Sequence, residues 1–278
     1  MTAIPSQKPP DVCDYYHPEP IVLEVKPFLL EDFSKIVADY ATVRFKVWED
    51  HYGAKPGQEP PLPNETDLQA MLESDCEFYP GKKTKETHDV LFIPETLNGE
   101  IFTHKKMGYL AQNPTKGNPL FPCITIAGVA TTMGASPIGP SRVLLITKGT
   151  VPGSVSIDNL YNGRATDFFA SHPKYRLPTG SEVVIHAMTQ YVSKGEVLYP
   201  DNEKELYSAE KDPWQHPETW DIPRPLTWTS EYVESAGRVH EVAGKDDNGF
   251  YIGPYGIDDG HASVGMTMVR DITPKPSS

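Results

Sequence analysis

Cysteine, basic charge and long apolar runs are all scarce in this chain of 278 residues. The three cysteines, Cys13, Cys76 and Cys123, lie far apart and include no Cys-x-x-Cys pair, which favours reduced thiols over a disulfide framework. No apolar run reaches the length of a membrane span, and the N-terminus lacks the apolar stretch of a signal peptide. We therefore expect a cytoplasmic protein without a membrane partner.

Positive charge is in the minority, because 25 lysines and arginines stand against 38 aspartates and glutamates. The formal net charge is −13. Nucleic-acid binding draws on clustered positive charge, so this balance argues against a nucleic-acid partner. The expected partner is a small-molecule substrate, and the composition leaves a homo-oligomer open.

Nucleotide and metal motifs are also missing. The chain has no Walker loop, no Gly-x-Gly-x-x-Gly after a strand pattern and no His-Glu-x-x-His. Its histidines are scattered and do not have the spacing of zinc ligands. We therefore expect neither a cofactor nor a metal site.

Proline, in contrast, is abundant: 28 prolines favour many loops over long helices. Residues 1–20 are expected to form an extended N-terminal arm, 21–271 a single β-rich domain and 272–278 a flexible tail. Helical spacing of apolar residues predicts a helix at 30–40, and a second short helix at 64–74 is expected to be capped by Asn64.

Most of the remaining chain has the period-two pattern of strands, beginning at Val43, Phe45 and Val47. Further strands are predicted at 89–94, 100–107, 123–132, 142–148, 182–193, 226–233, 238–243 and 261–271. Asn-Gly pairs at 98–99, 162–163 and 248–249 predict hairpin turns. The pattern predicts an α+β, β-dominated fold with a curled antiparallel sheet or barrel-like core and two short N-terminal helices.

The adjacent pair Lys105–Lys106 is the first candidate site. Two neighbouring ammonium groups repel each other, and a lysine in an apolar site loses its proton more easily. Strand alternation would place Lys105 on an apolar face opposite Phe92, where a neutral amine could form an imine with a ketone. The alternative is a lysine whose stem lies along apolar surface while its ammonium group reaches water.

The predicted strand at 182–193 contains the second candidate site. Alternation places Glu182, His186 and Gln190 on one face, where they could line a polar interior. The alternative is a solvent-facing strand with one hydrogen-bonded histidine. Arg142, at the start of an apolar strand, is a candidate for binding a carboxylate, or else a surface residue.

Three segments resemble the acetoacetate decarboxylase superfamily: Lys105-Lys106-Met107-Gly108-Tyr109, Ala130-Thr131-Thr132-Met133-Gly134 and Val43-Arg44-Phe45. The resemblance implies that Lys105 forms an imine, that Lys106 lowers its pKa and that Arg44 or Arg142 holds a carboxylate. The chain differs from the family pattern at Lys46, where an acidic residue is expected.

Three functions follow as hypotheses. The first is a cofactor-independent, decarboxylase-like lyase that acts on a small carbonyl or carboxylic acid through a lysine imine, with Phe92 and Gln190 near the substrate. The second is an isomerase, dehydratase or cyclase in which His186 and Glu182 perform acid–base catalysis. The third is a non-catalytic protein that binds a small ligand.

Overall fold

The computed structural model describes residues 45–60, 63–120, 122–124, 134–152, 154, 164–195, 198, 226–233, 239–246, 249–256 and 264–274. Outside these residues lie the predicted arm at 1–20, the helix at 30–40, Arg44 and the turn at 162–163.

Helices occur throughout the described part of the chain. They are α1 (residues 45–52), α2 (Glu65–Glu73), α3 (Thr84–Thr87), α4 (His104–Gln112), α5 (Arg164–Ser171) and α6 (Gly180–Lys194). The helix α2 begins as predicted, since the Asn64 side chain accepts a hydrogen bond from the Asp67 amide at 2.9 Å. The strand predicted at Val43–Val47 is wrong from residue 45 onward, where α1 forms instead.

The strands of the described residues form three separate sheets. They are β1 (His88–Ile93), β2 (Thr96–Leu97), β3 (Glu100–Ile101), β4 (Pro122–Ile124), β5 (Arg142–Thr147), β6 (Leu226–Val233), β7 (Val239–Asp246), β8 (Gly249–Gly256), β9 (Val264–Gly265) and β10 (Val269–Asp271). The orders are β1-β5-β10, which is antiparallel, β2-β3, and β4-β8-β7-β6-β9, in which both end pairs are parallel. The fold is α+β, and no sheet of the described residues closes into a barrel.

The core lies around β1, β5 and α6. Val143 to Thr147 of β5 are all buried, as expected for a strand covered on both faces. Against this sheet pack buried aliphatic residues of α6, such as Val184 and Met188, and the indole of Trp48 from α1. Tyr52 ties α1 to α6, because its hydroxyl donates to the Met188 carbonyl at 2.9 Å.

The strand predicted at 182–193 is wrong, because these residues belong to the helix α6. Thr179 and Glu182 form a capping box at its start, and Gly195 ends it in the left-handed conformation with φ of +71°. Residues 180–190 are all buried, so this part of α6 lacks the solvent-exposed polar face that marks an amphipathic helix. Because the segment is buried and rich in β-branched residues, its sequence has the pattern expected for a buried strand.

The strand predicted at 100–107 is also wrong beyond Ile101. The Asn98-Gly99 hairpin forms as predicted and pairs Leu97 with Glu100, but the chain then turns into α4. Thr103 caps this helix by accepting a hydrogen bond from the Lys106 amide at 3.3 Å. A threonine cap directly after a short hairpin ended the strand earlier than alternation suggested.

Two further predictions concern the C-terminal part of the chain. The strands β7 and β8 pair antiparallel with Asp246 opposite Gly249, and Asn248 of the predicted Asn248-Gly249 turn lies outside the described residues. Ile272 is buried and donates its amide to the Val143 carbonyl at 3.0 Å. The flexible tail at 272–278 stays a prediction.

Candidate functional site

A cleft of about 150 Å³ opens between α1, β1 and the C-terminal half of α6. It is lined by Lys46, Val47, Asp50, His51, Leu91, Phe92, Thr189, Gln190, Ser193 and Lys194. Phe92 and Gln190, which the sequence analysis placed near a substrate, therefore meet in one cleft. An engineered apolar cavity of this size holds benzene, so the ligand that would fit here has only a few heavy atoms.

The floor of the cleft is apolar. Leu91 and Phe92 come from β1 and are almost fully buried, and Val47 comes from α1. The Phe45 ring packs on the Phe92 ring with 3.8 Å between centroids. This packing fixes the floor on the side of α1.

The wall formed by α6 contains one buried polar atom that has no partner among the described residues. The hydroxyls of Thr189 and Ser193 donate to backbone carbonyls of α6 itself, at 2.7 Å to Ile185 and 2.5 Å to Thr189. Gln190 is only 4% exposed, and its Oε1 has no hydrogen-bond partner among the described residues. A buried amide oxygen without a partner is costly, so this position calls for a partner from outside the described residues.

Charged side chains surround the opening. Lys46 and Asp50 lie one helical turn apart on α1, and Lys194 lies in the last turn of α6. These contribute two ammonium groups and one carboxylate. Among the described lining residues, ammonium groups therefore outnumber carboxylates, in a chain whose formal net charge is −13.

His51 completes the wall formed by α1. Its ring Nδ1 lies 3.0 Å from the carbonyl oxygen of Lys116, and its own carbonyl accepts hydrogen bonds from the loop at Thr115 and Lys116. Sequence reasoning missed Lys46, Asp50 and His51 because a strand was assigned across α1. The signal was the spacing of four in Lys46–Asp50 and Val47–His51, which places each pair on one helical face.

Glu182 and Arg142 are joined to each other rather than directed to the cleft. Arg142 Nε donates to Glu182 Oε1 at 3.1 Å, and Arg176 donates to both carboxylate oxygens at 2.8 and 2.7 Å. Burial raises the pKa of the Glu182 carboxyl, but Arg176, Arg142 and the Thr179 amide outweigh it and hold this pKa below its usual range. The roles of Glu182 and Arg142 toward a substrate stay predictions.

His186 is fully buried and pairs with Asp89 of β1, with 2.9 Å between Nε2 and Oδ2. This contact joins α6 to the central sheet beneath the cleft. His186 is not among the residues that line the cleft, and its acid–base role stays a prediction.

The lysine pair lies on α4, and neither lysine lines the cleft. Lys105 is exposed, whereas Lys106 donates to the Leu97 carbonyl at 3.0 Å and to Glu100 at 2.7 Å. The predicted position of Lys105 on an apolar strand face opposite Phe92 is wrong, because Phe92 pairs with Val143. The imine mechanism stays a prediction.

Metal-binding clusters and membrane-spanning helices are absent from the described part of the chain. No group of three or more His, Cys, Asp or Glu in that part could hold a metal ion. Likewise, none of its helices is both long and apolar enough to cross a membrane. Comparison with protein-family models, with curated proteins and with solved structures found no match to this chain.

Proposed function

We propose that the protein binds a small keto or carboxylic acid in the cleft between α1, β1 and α6. The observation that carries this proposal is the buried amide of Gln190, whose Oε1 lacks a partner among the described residues. A half-turn of the terminal amide exchanges its oxygen and nitrogen, so Gln190 can offer either an acceptor or a donor to a ligand. A carbonyl or carboxylate oxygen only accepts, so such a ligand uses the amide N–H that this half-turn directs toward it.

The charge of the rim favours an acid over a neutral molecule. Lys46 and Lys194 line the same cleft as Gln190, with Asp50 as the opposing charge. An ammonium group about 4 Å from a carboxylate contributes roughly 1 kcal/mol in water, and more where the apolar floor excludes water. The apolar floor at Leu91 and Phe92 suits the short carbon chain of such an acid.

This proposal keeps the small carbonyl or carboxylic acid expected from the sequence and moves its binding site from Lys105 to the cleft. It requires no barrel-like sheet, since one strand and two helices supply every wall. It favours the hypothesis that the protein binds a small ligand.

The proposal is tested by measuring affinity for acetate, pyruvate and benzoate with saturation-transfer NMR. Acetate and pyruvate should bind saturably, and Gln190→Leu should weaken binding by about 10-fold or more, because a hydrogen bond to a charged group contributes roughly 1.5–3 kcal/mol. Benzoate should bind more weakly, because its ring and carboxylate together exceed a space that holds benzene.

Gln112→Leu is the matched control, since Gln112 is exposed at the end of α4 and outside the cleft. It should leave affinity unchanged. Gln190→Leu should also stabilise the ligand-free protein by about 1 kcal/mol in urea unfolding, because it removes a buried polar group that has no partner. Failure of both small acids to bind, or equal binding by Gln190→Leu, contradicts the proposal.

A further inference from the structure

We infer that His51 is the base of this site and takes a proton from the carbon beside the carbonyl of a bound keto acid. The inference rests on the proposed function, because it needs the acid in the cleft that His51 and Gln190 both line.

The tautomer of the His51 ring is set by the backbone. A carbonyl oxygen can only accept, so the Lys116 carbonyl 3.0 Å away receives the Nδ1–H of the ring. In the neutral imidazole Nε2 then carries the lone pair. Nε2 makes no hydrogen bond within the described residues, so this lone pair stays available to a ligand.

The position of His51 is fixed as firmly as its tautomer. Its carbonyl, at the end of α1, accepts from the Thr115 amide at 2.7 Å, the Thr115 hydroxyl at 2.9 Å and the Lys116 amide at 3.2 Å. The same short loop therefore holds both the main chain and the ring. Groups held in this way lose little freedom when they react.

Gly117 lets this loop fit between the two helices of the cleft. Its φ is +99°, and a Cβ at this position would lie 2.4 Å from the Val192 carbonyl and 3.3 Å from His51 Nδ1. Any side chain would push the loop away from α6 or from the histidine. The close packing sets His51 opposite the wall of α6 that carries Gln190.

The chemistry is a proton transfer that needs no further reactant. Nε2 takes a proton from the carbon next to the carbonyl, and the electrons of that C–H bond move into the carbonyl to leave an enolate oxygen. The ammonium groups of Lys46 and Lys194, which line the same cleft, favour the enolate. Return of a proton from the imidazolium to the carbon restores the keto acid, and return to another atom completes an isomerisation.

The test follows the loss of the pyruvate methyl signal by proton NMR in D₂O, where each returned proton is a deuteron. The wild-type protein should accelerate this exchange over buffer. His51→Asn should lose the acceleration by a factor of about 100 or more, since a general base contributes roughly 10²–10⁴. The asparagine amide can still donate to the Lys116 carbonyl, so pyruvate binding should be kept.

His172→Asn is the matched control, because the half-buried His172 also places Nδ1 near a backbone carbonyl, 2.9 Å from Phe168, but lies outside the cleft. It should exchange at the wild-type rate. Should His51→Asn fail to fold by circular dichroism, His51→Gln gives the same readout.

Three results overturn the inference: pyruvate binding without accelerated exchange, exchange by the folded His51 variant at the wild-type rate, or a lysine adduct after borohydride reduction of the exchanging sample. The last would show that exchange proceeds through an imine. Absence of binding of both acetate and pyruvate to the wild-type protein overturns the proposed function itself.

Discussion

Buried polar residues along one face of α6 differ in whether the fold supplies their partners. Glu182, His186 and Gln190 are spaced by four residues, so they share a face of the helix. Two arginines bind Glu182, and Asp89 binds His186. Gln190 lies in the cleft, where its Oε1 has no partner in the described part of the chain. The fold thus supplies the partners of Glu182 and His186, whereas the end of the face at Gln190 belongs to the site that we propose for a ligand.

The role of Glu182 in the fold predicts a large cost for removing its charge. Glu182→Gln leaves the guanidinium of Arg142, whose side chain is only 12% exposed, without its carboxylate. Removing one partner of a buried ion pair typically costs about 3–5 kcal/mol. Urea unfolding should show a loss of this size.

Glu100→Gln is the matched control, because Glu100 binds Lys106 at the surface with a side chain 77% exposed. Exposed pairs contribute roughly 0–1 kcal/mol, so this variant should change stability little. Equal effects of the two variants would contradict the structural role given to Glu182.

The burial of His88 predicts how the free energy of unfolding depends on pH. This residue begins β1 and is 1% exposed, and burial, opposed by a backbone hydrogen bond with Thr84, lowers its pKa to about 4. The unfolded chain binds a proton at this histidine below about pH 6.5, whereas the folded chain does not. The free energy of unfolding therefore falls as pH drops from 6.5, by up to about 3 kcal/mol at pH 4.

His88→Gln removes this titration. Urea unfolding between pH 7 and pH 4 should show a shallower loss of stability for the variant than for the wild-type protein. The carboxylates titrate in both proteins and cancel in the difference. Parallel curves would show that His88 does not titrate as its burial requires.

At the scale of elements, the helix α4 determines the surroundings of Lys105 and Lys106. Substitution of Gly108 tests whether this segment is a helix. A Cβ at Gly108 would meet no atom within 4 Å, so intrinsic propensity alone decides the effect of a substitution. In a helix, Gly108→Ala should stabilise by about 1 kcal/mol, and Gly108→Val should stabilise less. In a strand the order of alanine and valine would be reversed.

Thermal or urea unfolding of the two variants measures this order. Gly99→Ala provides a contrast of opposite sign, because Gly99 has φ of +78° in the hairpin and alanine there should cost roughly 1–2 kcal/mol. Greater stability of Gly108→Val than of Gly108→Ala would restore the strand, and with it the predicted environment of Lys105.

Elements with local sequence signals were predicted correctly. Prediction failed where burial on every side removes the regular alternation of apolar and polar residues. The cap at Asn64, the hairpin at Asn98-Gly99 and the strand β5 were all found, because turn chemistry and a continuous apolar run are visible locally. The helix α6 was taken for a strand because it is buried on every side. Its ends carried the better signal, a capping box at Thr179–Glu182 and a glycine at Gly195.

The candidate site was only partly predictable for the same reason. Phe92 and Gln190 were chosen from two segments both taken as strands, yet they meet because a helix packs on β1. A spacing of four residues places side chains on one face in a helix as well as in a strand. The grouping of Glu182, His186 and Gln190 is therefore correct although the segment was assigned as a strand. The pairing of α1 with the loop at residues 115–117 depends on contacts distant in sequence, which no local pattern reveals.

At the scale of the whole molecule, the cleft lies where three parts of the chain meet. Residues from α1, β1 and α6 are far apart in sequence and are joined by Tyr52–Met188 and His186–Asp89 hydrogen bonds. These contacts hold the walls in place around Gln190, whose Oε1 has no hydrogen-bond partner among the described residues. A preformed site of this kind suits a small ligand, since little ordering is needed on binding.

The most direct test of this account is the side-chain amide resonance of Gln190 in proton–nitrogen NMR spectra during a pyruvate titration, assigned by its absence in Gln190→Leu. The account predicts that this resonance shifts saturably, with the same dissociation constant as ligand-observed binding, while the Gln112 amide stays in place. A Gln190 resonance that does not move while pyruvate binds, or that moves without saturating, would contradict the assignment of this cleft as the binding site.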